Sequence, residues 1–149
     1  MEIKGAIFDL DGTLLDSMWV WNQVDIDFLG KRGFDVPPDY PKVIAAMGFH
    51  ETAEYTIKRF DLKEKVKDVI AEWDRMAAQM YHERVQIKPY VREVLEWMRQ
   101  QGIHLGVATA SYRTLFEPCL RRNGVFEYFE AVTETSEVER GKGFPDIYI

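Results

Sequence analysis

The chain has 149 residues, of which 46% are hydrophobic and 30% charged, enough for one ordinary domain or a small core that carries an insertion. This composition excludes disorder and fibrous repeats. Lysine and arginine number 19 and aspartate and glutamate 25, so the net charge is −6. Because affinity for polyanions depends on clustered basic residues, we expect neither a nucleic acid nor an anionic membrane as a partner.

The cysteine content and the apolar segments predict a cytoplasmic protein. The single cysteine, Cys119, cannot form an internal disulfide, and the first residues, MEIKG, lack the charged-then-apolar pattern of a secretory signal. No apolar stretch approaches the roughly 20 residues that are needed to cross a bilayer. We therefore expect a reducing compartment and no membrane contact.

The first predicted element is a strand over residues 3–10, IKGAIFDL. This short, mostly apolar run ends in an Asp-Gly turn, which is typical of a strand buried on both faces of a parallel sheet. Helical spacing then begins at Ser17, which is expected to be an N-cap. A loop is predicted at 35–41, and helical segments are predicted at 17–30, 43–47, 50–60 and 62–85.

After Pro89 helices and strands alternate. We predict a helix at 90–101, a strand at 103–108, a helix at 113–122 and a short strand near 131–132. Such alternation indicates parallel crossovers and an α/β fold with a Rossmann-like parallel sheet. The expected organisation is an α/β core formed by residues 1–15 and 86–149, interrupted by an all-helical insertion at 16–85.

Two acids follow the first strand in the run FDLDGTLLDS. Asp9 and Asp11 are two residues apart on an extended chain, so their carboxylates, or the backbone next to them, can converge on one small volume. Two acids that close must share a proton or a cation. A hard ion such as Mg²⁺ suits acid-only ligation, and Gly12 would allow a tight turn and close backbone approach to a phosphate. The alternatives are a simple strand-ending turn and a calcium loop, but the residues after Gly12 do not fit the calcium-loop pattern.

The run FDLDGTLLDS resembles the first motif of the haloacid dehalogenase superfamily without a gap. The second motif of that family, a Thr or Ser at the end of an apolar strand, is matched by Thr109 in IHLGVATAS. The third, a lysine before a helix, is matched by Lys142, although Gly143 replaces the usual proline. Alone, Thr109 is a common strand-end residue and Lys142 a solvated surface charge; their order behind the first motif favours the family.

The resemblance implies a phosphoric monoester hydrolase that acts on small phosphorylated metabolites. Asp9 resembles the nucleophile that forms an aspartyl-phosphate, and Asp11 the general acid and base. Mg²⁺, bound by Asp9 and Asp11, would hold the phosphoryl oxygens together with Lys142, the Thr109 hydroxyl and the Ala110 amide. An aspartate at both positions favours phosphate chemistry over dehalogenation.

The helical insertion at 16–85 resembles the cap of the β-phosphoglucomutase-like branch, which closes over the site and selects the substrate. That branch has a helper histidine in its first cap helix, where this chain has Trp21, so we expect a phosphatase. A sugar phosphomutase and an inactive module that binds phosphorylated ligands remain as alternatives.

The fourth family motif, one or two acids that complete the metal site, is not visible after Lys142. Asp146 and the acids at positions 134, 137 and 139 resemble surface charges. We expect a C-terminally incomplete core, which belongs either to a fragment of a longer protein or to a natural truncation with an incomplete metal site. The fragment is favoured, since a core of about 80 residues buries only around 60% of its unfolded surface. Its first strand would then be an exposed apolar edge through which the chain self-associates.

Overall fold

The computed structural model describes residues 3–140 and 142–149. It divides into two compact units. One comprises the chain up to Met18 together with the chain from Met80 onward, and we call it the α/β unit. The other, Trp19–Gln79, contains only helices and turns, and we call it the helical unit. The compact helical unit therefore lies inside the insertion predicted at 16–85.

The α/β unit is built on a parallel sheet of three strands in the order β1-β2-β3. These strands are β1 Gly5–Phe8, β2 His104–Thr109 and β3 Ala131–Glu134. Phe8 is paired with Val107, and Thr109 with Glu134. Because all three strands run in the same direction, the residues that follow β1 and β2 meet at one edge of the sheet. This confirms the predicted parallel α/β fold.

Two helices flank β2 in the sequence, α5 Val91–Gln100 and α6 Arg113–Arg122. Their apolar residues recur at three- and four-residue spacing, and the residues of that stripe are buried: Val91, Leu95, Leu115, Phe116, Cys119 and Leu120. Gly102 and Gly124 follow the two helices with φ of 72° and 67°, the left-handed conformation that ends a helix. The α6 boundaries agree with the prediction.

The helical unit contains three complete helices and most of a fourth. They are α1 Val20–Gly30, α2 Tyr40–Ile44, α3 Phe49–Arg59 and α4 Val66–Glu83, whose last residues belong to the α/β unit. Val24, Phe28 and Tyr40 are at most 1% exposed and form its core with Trp73. Arg32 pairs with Glu64 at 2.6 Å and with Glu72 at 2.7 Å, which links the end of α1 to α4 and the turn before it.

The first strand differs from its prediction. It spans only Gly5–Phe8, and its residues alternate between exposed and half-buried, with Ile7 53% exposed. The prediction of burial on both faces was wrong, because the face that carries Gly5 and Ile7 is exposed and the opposite face is only half-buried. β1 also stands at the edge of the described sheet, where it is paired on one side only, with β2. A run of apolar residues predicts a strand, but it does not predict whether other elements pack on both faces of that strand.

The start of α1 also differs from its prediction. The helix begins at Val20, and Trp19, not Ser17, occupies the N-cap position without a side-chain hydrogen bond. The Ser17 hydroxyl instead donates to Asp11. Further along, α2 begins at Tyr40, inside the loop predicted at 35–41. Pro41 lies in the first turn of this helix, where proline is tolerated.

Among the described residues, no helix is both long enough and apolar enough to cross a membrane.

Candidate active site

The loop after β1 is held in place by hydrogen bonds between its own backbone groups. The Leu10 carbonyl accepts hydrogen bonds from three successive amides, those of Thr13, Leu14 and Leu15, at 2.9 to 3.0 Å. Gly12 has φ of 76°, and a Cβ atom there would lie 3.0 Å from Met18 Sδ. The loop therefore requires glycine at this position, as the sequence predicted, both for conformation and for space.

A lysine from a distant part of the chain supports the same loop. Lys88 Nζ donates to the Gly12 carbonyl at 2.6 Å, and the Lys88 amide donates to the Leu14 carbonyl at 2.8 Å. A further backbone hydrogen bond joins the Asp16 amide to the Gln86 carbonyl at 2.9 Å. These contacts fix the loop between Asp9 and Asp16 against the segment that precedes α5.

Asp9 and Lys142 lie together although 133 positions separate them in the sequence. Lys142 Nζ donates to Asp9 Oδ1 at 2.6 Å. The Asp9 side chain is 40% exposed and that of Lys142 is 29% exposed, so a small ligand can reach both groups. The first and third motifs thus place an anionic oxygen and a cation side by side, an arrangement that can present a nucleophile and hold a negatively charged ligand.

Asp11 is held by two hydroxyl groups on one oxygen. Ser17 Oγ donates to Asp11 Oδ1 at 2.6 Å, and the Tyr81 hydroxyl donates to the same atom at 2.5 Å. Both donors are 2% exposed. Burial, and next the hydrogen bond to Asp11, raise the pKa of Tyr81, so the phenol keeps its proton at neutral pH. The second oxygen, Asp11 Oδ2, accepts no hydrogen bond from the described residues and is free for proton transfer.

The second motif lies at the carboxyl end of β2. Asp9 follows Phe8, the last residue of β1, and Thr109 is the last residue of the neighbouring strand β2. Both residues therefore lie at the carboxyl end of the sheet. Thr109 is fully buried, and its Oγ1 accepts a hydrogen bond from the Ser111 amide at 3.0 Å. Ala110 is exposed. Within the described residues, no hydrogen bond joins Thr109 directly to Asp9 or Lys142.

Whether Asp9 and Asp11 can bind Mg²⁺ depends on which of their oxygens already accept hydrogen bonds. Asp9 and Asp11 each use one oxygen, Oδ1, and the other oxygen of each has no partner among the described residues. No group of three or more acids, histidines or cysteines that could hold a metal occurs in residues 3–140 and 142–149. The free oxygen of Asp9, together with the backbone beside Asp11, nevertheless fits Mg²⁺, which completes its shell with water and substrate phosphate.

The other acids near this edge serve structural purposes. Glu134 accepts the Arg113 amide at the start of α6 and a hydrogen bond from Ser136. Glu137 accepts the Glu134 amide at 2.8 Å. Asp146 is paired with both guanidinium nitrogens of Arg140 at 2.8 and 3.0 Å. Their interpretation from sequence as ordinary surface charges agrees with these contacts.

Two residues of the site were missed by the sequence analysis, Tyr81 and Lys88. Tyr81 was included in the long amphipathic helix, where an aromatic residue on the apolar stripe indicates core packing. A buried tyrosine must nevertheless find a partner for its hydroxyl, which is the signal that could have directed attention to it. Lys88 had no signal of its own, because its role depends on which carbonyl the fold places beside it.

Cys119 is a packing residue in the structure, as the sequence indicated. It is fully buried in α6, and burial raises the pKa of its thiol to about 11. A thiol with that pKa is protonated at neutral pH and is a poor nucleophile.

Comparison with known proteins finds a matching family model and similar enzymes. Residues 6–149 match the family model described as haloacid dehalogenase-like hydrolase. Hexitol phosphatase B of Escherichia coli is 26% identical over 154 residues, which cover 99% of this chain and 68% of that protein. The pyrophosphatase PpaX of Bacillus cereus is 26% identical over 147 residues, covering 98% of this chain and 66% of that protein.

Among solved structures, a β-phosphoglucomutase candidate from Thermotoga maritima aligns with a TM-score of 0.88 at 23% identity. The alignment covers 98% of this chain and 68% of that one. The chain thus spans about two thirds of the length of the proteins that it matches. At this level of identity the structural match shows that the fold is shared.

Proposed function

Because the chain belongs to the haloacid dehalogenase-like hydrolases, we propose that it acts as a Mg²⁺-dependent phosphatase of small phosphorylated metabolites. The observation that carries this proposal is the pairing of Asp9 with Lys142 beside Asp11, whose second oxygen is free. Hydrolysis of a phosphate monoester needs a nucleophile, a cation and an acid, and Asp9, Lys142 and Asp11 supply these three groups.

In the first step, a carboxylate oxygen of Asp9 attacks the phosphorus of the substrate. The bond between phosphorus and the leaving oxygen breaks, and Asp11 donates its proton to that oxygen so that it departs as an alcohol. The product is an aspartyl-phosphate on Asp9. Because Ser17 and Tyr81 both bind Asp11 Oδ1, the proton that is transferred belongs to Oδ2.

In the second step, Asp11 accepts a proton from a water molecule through the same oxygen. The water oxygen then forms a bond to phosphorus, and the bond between phosphorus and Asp9 breaks. Inorganic phosphate leaves, and both aspartates return to their starting states. One carboxylate therefore acts as acid and then as base, which requires that it keep a fixed orientation between the steps.

Three further groups are proposed to hold the phosphoryl oxygens. Lys142 supplies a positive charge beside Asp9, and the hydroxyl of Thr109 and the amide of Ala110 follow β2 at the same sheet edge. Since Thr109 Oγ1 already accepts the Ser111 amide, its hydroxyl hydrogen is available to donate. Asp9 through its carboxylate and Asp11 through its backbone would hold Mg²⁺, which when bound would neutralise charge on the transferred group.

We propose that the helical unit, Trp19–Gln79, which lies within the insertion predicted at 16–85, is the substrate-selecting cap. The unit is inserted between the loop of Asp9 and Asp11 and the strand that carries Thr109. Hexitol phosphatase B and pyrophosphatase PpaX support two substrate classes, sugar-alcohol phosphates and pyrophosphate. Trp21, in place of the helper histidine, supports hydrolysis over phosphate transfer.

We also propose a reducing, cytoplasmic location, supported by the buried free thiol of Cys119.

The test is hydrolysis of p-nitrophenyl phosphate by the 149-residue chain with Mg²⁺ and with EDTA. We expect release of inorganic phosphate that depends on Mg²⁺, and then turnover of a hexitol phosphate or of pyrophosphate. Phosphate that is transferred to a second sugar position, with a requirement for a bisphosphate primer, would instead identify a phosphomutase. Metal-independent turnover, or a folded chain that turns over neither substrate, would contradict the proposal.

We further propose that the chain self-associates through β1. This strand stands at the edge of the described sheet, and Ile3 and Ile7 are 65% and 53% exposed there. Open apolar edges pair with other strands. Sedimentation velocity should detect a dimer or larger species that Ile7→Lys dissociates, whereas a monodisperse monomer at working concentrations would contradict this proposal.

A further inference from the structure

The helical unit contains a cavity of about 560 Å³, a volume typical of small-molecule sites. Its wall is mostly aromatic and aliphatic and includes Trp21, Ile44, Phe49 and Trp73. Asp25 is the only ionisable side chain in that wall. The sequence analysis assigned no function to this region beyond that of a cap, and Asp25 was not singled out.

Asp25 has no partner among the described residues. The hydroxyl groups of this region are already engaged: Tyr40 is bonded to Thr56 at 2.7 Å, and Thr56 donates to the Thr52 carbonyl at 2.7 Å. Thr52 in turn donates to the Gly48 carbonyl. Burial without any compensating hydrogen bond raises the pKa of Asp25 to about 6, so at neutral pH a carboxylate is held in the wall without a counter-charge.

The aromatic side chains of the wall are in contact with one another. The Phe49 ring lies 5.4 Å from Trp21 and 5.5 Å from Trp73, in edge-to-face arrangements. Tryptophan and phenylalanine faces attract cations, and alkylated ammonium groups are bound in this way because they are weakly hydrated. An entirely apolar ligand would leave the Asp25 carboxylate of this wall unmatched.

We propose that this cavity binds an alkylammonium group, with Asp25 as its counter-ion and the rings of Trp21, Phe49 and Trp73 as its walls. Such a ligand neutralises the unpaired carboxylate and offers its methyl groups to the aromatic surface. All of these residues belong to the helical unit, so binding can be measured on the full chain without turnover at Asp9.

The test uses choline and its neutral carbon isostere, in which a quaternary carbon replaces the nitrogen. Binding of each to the full chain is measured by calorimetry and by tryptophan fluorescence at constant ionic strength and neutral pH. We expect choline to bind at least roughly tenfold more tightly than the isostere. In Asp25→Asn this preference should disappear, because only the charge is removed and the shape is kept.

Asp27→Asn is the matched control. Asp27 lies on the same helix and accepts a hydrogen bond from Gln23 at 2.8 Å, but it does not line the cavity. This variant should keep the preference for choline, and circular dichroism should show that both variants are folded. Equal affinity for choline and its isostere, an unchanged preference in Asp25→Asn, or no binding of choline by the folded chain would overturn the proposal.

Discussion

In the α/β unit the two carboxylates after β1 are held by side-chain donors from elsewhere in the chain, whereas in the helical unit the half-buried Asp25 has none among the described residues. Lys142 binds Asp9, and Ser17 and Tyr81 bind Asp11. Asp25 has only the effect of burial, which raises its pKa to about 6. The three side chains have the same chemistry, so the difference lies in what surrounds them.

The comparison separates two ways of preparing an acid for function. Where donors fix one oxygen, the other oxygen has a defined direction, and this suits proton transfer and nucleophilic attack. Where no donor is present, the carboxylate is a source of unpaired charge, and this suits binding of a cation. Substitutions that remove one partner, or one charge, test whether these environments have the assigned consequences.

The largest effect is expected for Asp9→Asn, because an amide cannot form the aspartyl-phosphate. Hydrolysis of p-nitrophenyl phosphate should fall by at least roughly a thousandfold, as for other enzymes that lose their nucleophile. Asn keeps the size of the side chain and can still accept from Lys142, so the fold should be retained by circular dichroism. Activity of Asp9→Asn equal to that of the wild type would contradict the mechanism.

A smaller loss, on the order of a hundredfold in kcat/KM, is expected for Lys142→Met, which removes a positive charge beside the transferred group. Methionine keeps most of the length of the side chain. The matched control is Lys4→Met, since Lys4 is exposed in the segment before β1. If both variants lose activity equally, the effect comes from net charge and not from the pairing with Asp9.

Tyr81→Phe should lower kcat by roughly tenfold, since a hydrogen bond to a charged group is lost while the ring remains packed. Tyr81 acts through Asp11 and is a positioning residue, so the decisive measurement is the pH profile of kcat, which should change shape in this variant. Tyr112→Phe, whose tyrosine is 62% exposed at the start of α6, is the control. A lower kcat with an unchanged pH profile would indicate that Tyr81 has only a structural role.

The sequence predicted the parts of this arrangement that are local or periodic. The strand–loop motif drew attention to Asp9, Asp11 and Gly12. The alternation after Pro89 predicted α6 with its observed bounds and β2 with a small boundary error. It did not reveal which distant donors would reach each carboxylate. Tyr81 and Lys88 are defined by contacts across 70 and 76 positions, which no local pattern encodes.

Asp25 illustrates the same limit in the helical unit. Its position in α1, between the buried residues Val24 and Phe28, resembles that of an ordinary polar residue on an amphipathic helix. Whether such a residue faces solvent or a cavity depends on the placement of α2, α3 and α4, not on its own neighbours in sequence. The Ser17 prediction failed for a related reason, because the hydroxyl found a carboxylate in place of a helix terminus.

The smallest expected effect concerns stability. Asp25→Asn removes a carboxylate whose folded-state pKa is raised from 3.8 to about 6 by burial, so the charged form destabilises the fold. With a discount for the part of the side chain that solvent screens, we expect a gain of about 1–2 kcal/mol at neutral pH.

The size of this effect depends on pH in a way that Asp27→Asn should not reproduce. Below about pH 4, Asp25 is protonated in both folded and unfolded chains, and wild type and Asp25→Asn should have the same thermal midpoint. As the pH rises through about 6, the wild type loses stability relative to the variant, and the difference is complete near pH 7. Tyr40, the ionisable neighbour whose pKa is raised to about 12, does not titrate in this range. A constant difference between the midpoints from about pH 4 to about pH 7 would mean that Asp25 is already neutralised, and the contrast between the two units would not hold.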